Sequence, residues 1–150
     1  ACKSALPVDV AIFAAAVADW RIASESDLKL KKQDGADCPT LTLMENPDIL
    51  KTIAHSPSDR PALVIGFAAE TGSVVEKAIA KRARKGCDWI LANDVSLGTG
   101  TFGGDDNTIH FITQSGTEDW PAQSKQAVAQ ALTDRIADFF RSDAGPKDNK

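Results

Sequence analysis

The run Ala62-Leu63-Val64-Ile65-Gly66-Phe67-Ala68, then Ser73-Val74-Val75-Glu76, then Gly86 and Asp88-Trp89-Ile90-Leu91-Ala92-Asn93, reads as strand, helix and strand. Both flanking runs are nearly continuous in apolar residues, the pattern of parallel strands covered on both faces. Ser73 and Glu76 stand at capping-box spacing and Gly86 supplies a C-terminal stop, so a helix is predicted between them. A strand–helix–strand unit implies parallel pairing, and the rest of the chain is read outward from it.

Upstream, Val8 to Ala16 is again almost wholly apolar and is predicted to be a central parallel strand. Leu28 to Gln33 and Thr40 to Glu45 alternate instead, with Leu28, Leu30, Leu41 and Leu43 on one side, which predicts half-exposed antiparallel strands. Asp34 to Pro39 supplies turn formers, so these strands form a projecting hairpin. Asn46 is placed as the cap of a short helix from Pro47 to His55, with proline at the first helical position. Downstream, Thr108 to Thr113 is read as an edge strand. Val128, Leu132, Ile136, Phe139 and Phe140 recur at helical spacing within a final helix from Ser124 to Arg141. The fold class is therefore α/β, a mostly parallel sheet with helices on both faces plus the hairpin.

The 150 residues, 43% hydrophobic and 25% charged, suit one globular domain. A formal net charge of -4 argues against a broad nucleic-acid footprint, although local basic clusters remain able to hold phosphates. No apolar run approaches the ~20 residues of a membrane span, and the first residues lack a signal-peptide pattern, so a soluble cytoplasmic chain is expected. Cys2, Cys38 and Cys87 show no CxxC spacing, and only His55 and His110 are available as imidazole partners; reduced thiols and no metal site are predicted. The abrupt start without Met is read as the mark of a fragment. Residues 1 to 142 are taken as one domain, and 143 to 150, with Gly145 and Pro146, as a disordered tail.

Gly98-Thr99-Gly100-Thr101-Phe102-Gly103 matches GxGxxG, but it leads into Gly104-Asp105-Asp106-Asn107 and a strand rather than a helix, so a flexible loop is preferred to a phosphate cradle. Lys77, Lys81 and Lys85 recur every four residues beside Arg82 and Arg84. Taken alone they are cations favoured near a helix C-terminus. Lys29, Lys31 and Lys32 likewise fit an edge strand protected against aggregation. Together, beside the strand ends at Asp19 and Phe67, the lysines point to a polyphosphate site. Asp19 is read either as orienting a ligand hydroxyl or Mg²⁺, or as a turn residue. Phe67 is read either as core or as a platform for a nucleobase. No Ser/His/Asp or Cys/His nucleophile set assembles.

Ala14-Ala15-Ala16-Val17-Ala18-Asp19-Trp20-Arg21, Leu28-Lys29-Leu30-Lys31-Lys32, Asn46-Pro47-Asp48-Ile49-Leu50, Gly66-Phe67-Ala68-Ala69-Glu70-Thr71 and Asn93-Asp94 in this order resemble the phosphopantothenoylcysteine synthetase half of the bifunctional coenzyme A biosynthesis flavoproteins. The resemblance runs from about Val8 to Phe140. It implies a modified Rossmann-like fold and a CTP-dependent ligase that joins 4'-phosphopantothenate to cysteine through an acyl cytidylate, with Mg²⁺. The CTP contacts it implies are Asp19, Lys29, Pro47, Asp48, Ile49, Leu50, Phe67, Lys81 and Lys85, with Lys29 also catalytic. It further implies a homodimer through the Lys29 to Glu45 hairpin. The family's glycine-rich first turn and its Ser-Asn-His-Ser-Ser-Gly type segment have no counterpart here and would lie before Ala1. The FMN-binding decarboxylase domain is also without a counterpart. The isolated chain is therefore expected to bind CTP weakly without completing the ligation. The alternatives carried are a non-catalytic nucleotide-binding and dimerisation module and, on the GxGxxG match alone, a nicotinamide-dependent oxidoreductase.

Overall fold

A computed structural model of the chain describes residues 1–24, 28, 38–96 and 106–143. A 3₁₀ turn, Cys2–Ala5, precedes β1 (Val10–Phe13), β2 (Trp20–Ile22), β3 (Leu43–Glu45) and α1 (Ile49–Ala54). There follow β4 (Leu63–Glu70), α2 (Val74–Lys85), β5 (Trp89–Asp94), β6 (Asp106–Asn107), β7 (His110–Ile112), β8 (Thr117–Asp119), β9 (Gln123–Ser124) and α3 (Lys125–Asp143). The main sheet has five strands in the order β1-β4-β5-β7-β8. β1, β4 and β5 are parallel, whereas β7 and β8 run antiparallel to their neighbours. β2 with β3, and β6 with β9, form separate antiparallel pairs.

The β4–α2–β5 unit follows the reading of the sequence, and its period-two alternation serves both faces. Val64 and Ala68 join Ile90, Ala92, Val74, Ala78 and Cys87 on the α1/α2 side. Leu63 and Ile65 join Leu91, Phe111 and Trp120, under Val128 and Leu132 of α3, on the other. Trp89 extends that second core through edge-on contacts with Phe111 at 5.1 Å and Phe139 at 5.7 Å between ring centroids. At the amino ends of the strands, Arg60 holds both Asp88 carboxylate oxygens at 2.9 Å, and Asp88 in turn accepts the Val64 N–H at 2.7 Å. The ion pair thus ties β4 to the start of β5.

The structure corrects several expectations. β1 is an edge strand among the described residues, paired only with β4, and Ile12 is 48% exposed where a covered central strand would hide it. β7 is interior to the sheet, because Thr113 N–H donates to Gly116 O at 2.9 Å and folds β8 back beside it. Ser115-Gly116 is the turn signal that marks this hairpin in the sequence. Asp48, not Asn46, caps α1: its Oδ1 accepts the Lys51 N–H at 3.0 Å. Asn46 is committed elsewhere, donating to Ala18 O at 2.7 Å and accepting from Arg21 at 3.1 Å. The capping box at Ser73 does not form, since Ser73 adopts φ 46° and ψ 44° and makes no side-chain cap bond. A cap needs extended backbone at that position to aim its oxygen at the free N–H groups. Gly86 does stop α2, with φ 70° and its N–H donating to Arg82 O at 2.9 Å.

β3 pairs with Trp20–Ile22, a segment not read as a strand, in the register Trp20↔Glu45 and Ile22↔Leu43. Lys29 to Gln33, and with them most of the proposed hairpin partner and its turn, lie outside the described residues. So do Gly98 to Gly103 and the tail from 144. α3 begins one residue beyond Ser124, whose Oγ accepts the Ala127 N–H at 3.1 Å and so caps it.

Candidate functional site

β1 ends at Phe13 opposite Gly66, while β4 continues to Glu70, and the chain after β1 diverges from it. Ala14 to Asp19 leads away to β2, and α1 returns beneath it after β3. The divergence opens a crevice of about 620 Å³ at the carboxyl ends of parallel strands, the position where open α/β sheets take ligands. Its far wall is α2, the crossover helix between β4 and β5.

Sequence-predicted residues converge here. Asp19, Pro47, Asp48, Ile49, Leu50, Phe67, Lys81 and Lys85 all line this crevice. Lys29 lies outside the described residues. Phe13, the small residues Ala14, Ala15 and Ala18, and Trp20 line it too and were not singled out individually. Their signal was the alanine run itself, since small side chains at a strand end leave room for a ligand to approach the backbone.

Hydrogen bonds hold the two sequence segments of the wall together. Asn46 N–H donates to Asp19 O at 2.8 Å and Asn46 Nδ2 to Ala18 O, so the loop after β1 is fastened to the entry of α1. Gly66 contributes by being small: a Cβ there would meet Leu50 Cδ2 at 2.8 Å, so glycine lets α1 close on the sheet. Phe67 is half-buried, packs with the α3-side core and also borders the crevice.

The charges are paired. Lys85 Nζ donates to Asp48 Oδ2 at 2.5 Å, and Lys81 Nζ lies 3.7 Å from Glu70 Oε1. Burial works against ionisation of Asp48, but the Lys85 ammonium, the Lys51 N–H and the charges of both lysines outweigh it and hold the carboxyl below its ordinary 3.8. Lys77 does not join this set; it turns back to donate to Thr71 O. Among the described residues no group of three or more His, Cys, Asp or Glu is arranged to hold a metal ion. A magnesium ion carried by phosphates needs only one or two carboxylates, and Asp19 on the crevice wall fits that lesser role.

An open, Rossmann-like α/β sheet with a lysine-bearing crevice at the carboxyl end of β1 belongs to the class of small-ligand-binding α/β domains. Within that class, the chain belongs to the family described as DNA/pantothenate metabolism flavoprotein, C-terminal domain, which it matches over residues 1–140. It is 43% identical over 129 residues to the coenzyme A biosynthesis bifunctional protein CoaBC of Escherichia coli K12, covering 85% of this chain and 32% of that protein. The corresponding Bacillus subtilis protein is 37% identical over 130 residues, covering 86% and 31%. The chain thus spans about a third of the length of these curated relatives. Among solved structures, the C-terminal domain of a CoaBC protein superposes with a TM-score of 0.69 at 29% identity, covering 94% of this chain and 59% of that one. A Streptococcus pneumoniae DNA/pantothenate metabolism flavoprotein shares the fold at a TM-score of 0.64 and 19% identity, covering 88% and 61%.

Proposed function

We propose that this chain is the nucleotide-holding portion of a phosphopantothenate–cysteine ligase acting in coenzyme A biosynthesis with CTP as the activating nucleotide. The observation that carries the reading is the convergence of Asp19, Pro47 to Leu50, Phe67, Lys81 and Lys85 on one crevice at the carboxyl end of β1. Family membership and the CoaBC relatives support it.

In this reading the carboxylate of 4'-phosphopantothenate attacks the α-phosphorus of CTP, and the bond to pyrophosphate breaks. The acyl cytidylate is then attacked by the amine of cysteine, the amide forms, and CMP leaves as the amine gives up its proton. Lys81 and Lys85 lie four residues apart on α2, so their ammonium groups reach the same stretch of crevice and gather triphosphate oxygens. Asp19 orients the ribose hydroxyls or shares a phosphate-borne Mg²⁺, which supplies charge neutralisation when bound. Phe67 stacks on the base, and the backbone of Pro47 to Leu50 supplies the groups that read it. Lys29, which lies outside the described residues, is the further phosphate contact that the family resemblance implies.

The ribbon supports a homodimer. Trp20, Ile22 and Leu43 are 55%, 42% and 54% exposed and share one face of the β2/β3 ribbon, an apolar surface that a second copy would cover. No helix among the described residues is long and apolar enough to cross a membrane, in keeping with a cytoplasmic enzyme. The nicotinamide alternative loses its basis, because the element after Gly98 to Gly103 is strand β6 rather than a helix.

Titrating CTP and ATP into the chain and into Lys29→Ala, read by tryptophan fluorescence, tests the proposal. CTP is expected to bind more tightly than ATP, and the variant to lose affinity about tenfold, as for one charge-assisted phosphate contact. Equal binding of both nucleotides, or no loss in the variant, refutes it.

A further inference from the structure

The lysines of the crevice are matched one to one by carboxylates, and the two matches differ in kind. Asp48 is anchored twice: Oδ1 holds the Lys51 N–H at the start of α1, and Oδ2 holds Lys85 at 2.5 Å. It cannot leave Lys85 without disturbing the cap of a helix. Glu70 is the last residue of β4, on the same face as Val64 and Ala68, and its carboxylate stands 3.7 Å from Lys81 Nζ, beyond direct hydrogen-bond distance. Side chains of this second pair are only 24% and 25% exposed, so water screens the attraction incompletely. Glu70 belongs to the Gly66 to Thr71 segment, yet it does not itself line the crevice that Lys81 lines.

We propose that Glu70 sets the affinity of the crevice for polyphosphates by competing with them for Lys81. An entering polyphosphate takes Lys85 together with its fixed carboxylate, but draws Lys81 away from a counter-ion that holds it loosely. The competition weakens binding, and in a ligase that releases pyrophosphate it also favours departure of that product. Glu70 therefore tunes affinity through Lys81 rather than by touching the nucleotide. The inference rests on the reading of the crevice as a triphosphate site.

The test uses inorganic tripolyphosphate, which carries no base, titrated calorimetrically into the chain. Glu70→Gln is expected to tighten binding about tenfold, the lower end of the effect of an opposite charge within about 4–6 Å of an ionised group. Glu70→Asp keeps the charge on a side chain one methylene shorter and is expected to give a smaller gain in the same direction. In a Lys81→Gln background the gain from Glu70→Gln disappears. Unchanged or weaker binding in both Glu70 variants overturns the proposal, as does a gain that persists without Lys81, which would reflect net charge alone. Loss of CTP preference over ATP, with these results intact, would remove the ligase reading and leave the competition standing.

Discussion

Asp48 performs two tasks that substitution separates. Asp48→Ala removes the oxygen that accepts the Lys51 N–H at 3.0 Å and the charge that holds Lys85 at 2.5 Å. Loss of an N-cap costs about 1 kcal/mol. The ion pair adds about 1 kcal/mol more, discounted because the Asp48 side chain is 35% exposed while Lys85 is 19% exposed. The sum is about 2 kcal/mol, or a fall in melting temperature on the order of 4–8 °C for a chain of this length. Asp48→Asn keeps the cap and loses only the charge, so it should cost about half as much. The folded-state pKa of Asp48 lies below the ordinary 3.8, so the charge term is present above that pH and is lost as pH falls through the folded value. Urea unfolding followed by tryptophan fluorescence, at neutral pH and below pH 3.8, measures all three chains. The gap between wild type and Asp48→Asn should shrink in acid, while the gap between Asn and Ala persists. Equal losses in Asn and Ala, or a wild type to Asn gap that ignores pH, would refute the reasoning.

Two further outcomes follow from the packing. Gly86→Ala must hold φ near 70° with a side chain and place its Cβ 2.5 Å from His55 Cε1, so a loss of about 2 kcal/mol is expected, partly relieved in a His55→Ala background where the ring is gone; thermal melts of the two single variants and the double variant decide it. Cys87 is buried and its thiol is pushed up by that burial, so a thiol reagent at neutral pH should label the exposed Cys2 and Cys38 first and reach Cys87 only on unfolding, as mass spectrometry of the labelled peptides would show.

The apolar run of β4 and the helical period of α3 were read correctly. Leu63, Val64 and Ile65 at the start of β4, and Val128 with Leu132 on α3, are buried as the pattern requires. Boundaries and partners were less legible. Val8 to Ala16 looks like a covered strand because its residues are apolar, yet the chemistry of a strand says nothing about whether a neighbour lies on each side of it. Asn46 and Asp48 are both good caps by type; which one serves depended on Asn46 being drawn to Ala18 and Arg21, residues far away in the chain. Ser73 has the right spacing for a capping box, but the turn after β4 sets its backbone in the left-handed region and removes the choice.

The candidate site divides along the same line. Residue type and local order alone marked Asp19, Phe67, Lys81 and Lys85, because strand ends and cations four apart are local properties of a chain, whereas Pro47 to Leu50 were marked only by the family resemblance. Their assembly around one crevice, and the pairing of Lys81 with Glu70 and Lys85 with Asp48, came only with the tertiary structure. Partners that are 11 and 37 positions apart in the chain meet because β4, α1 and α2 pack at one corner of the sheet, and no periodicity encodes that meeting. Sequence patterns record which face of an element avoids water; which charge then stands opposite which is settled by how the elements are stacked.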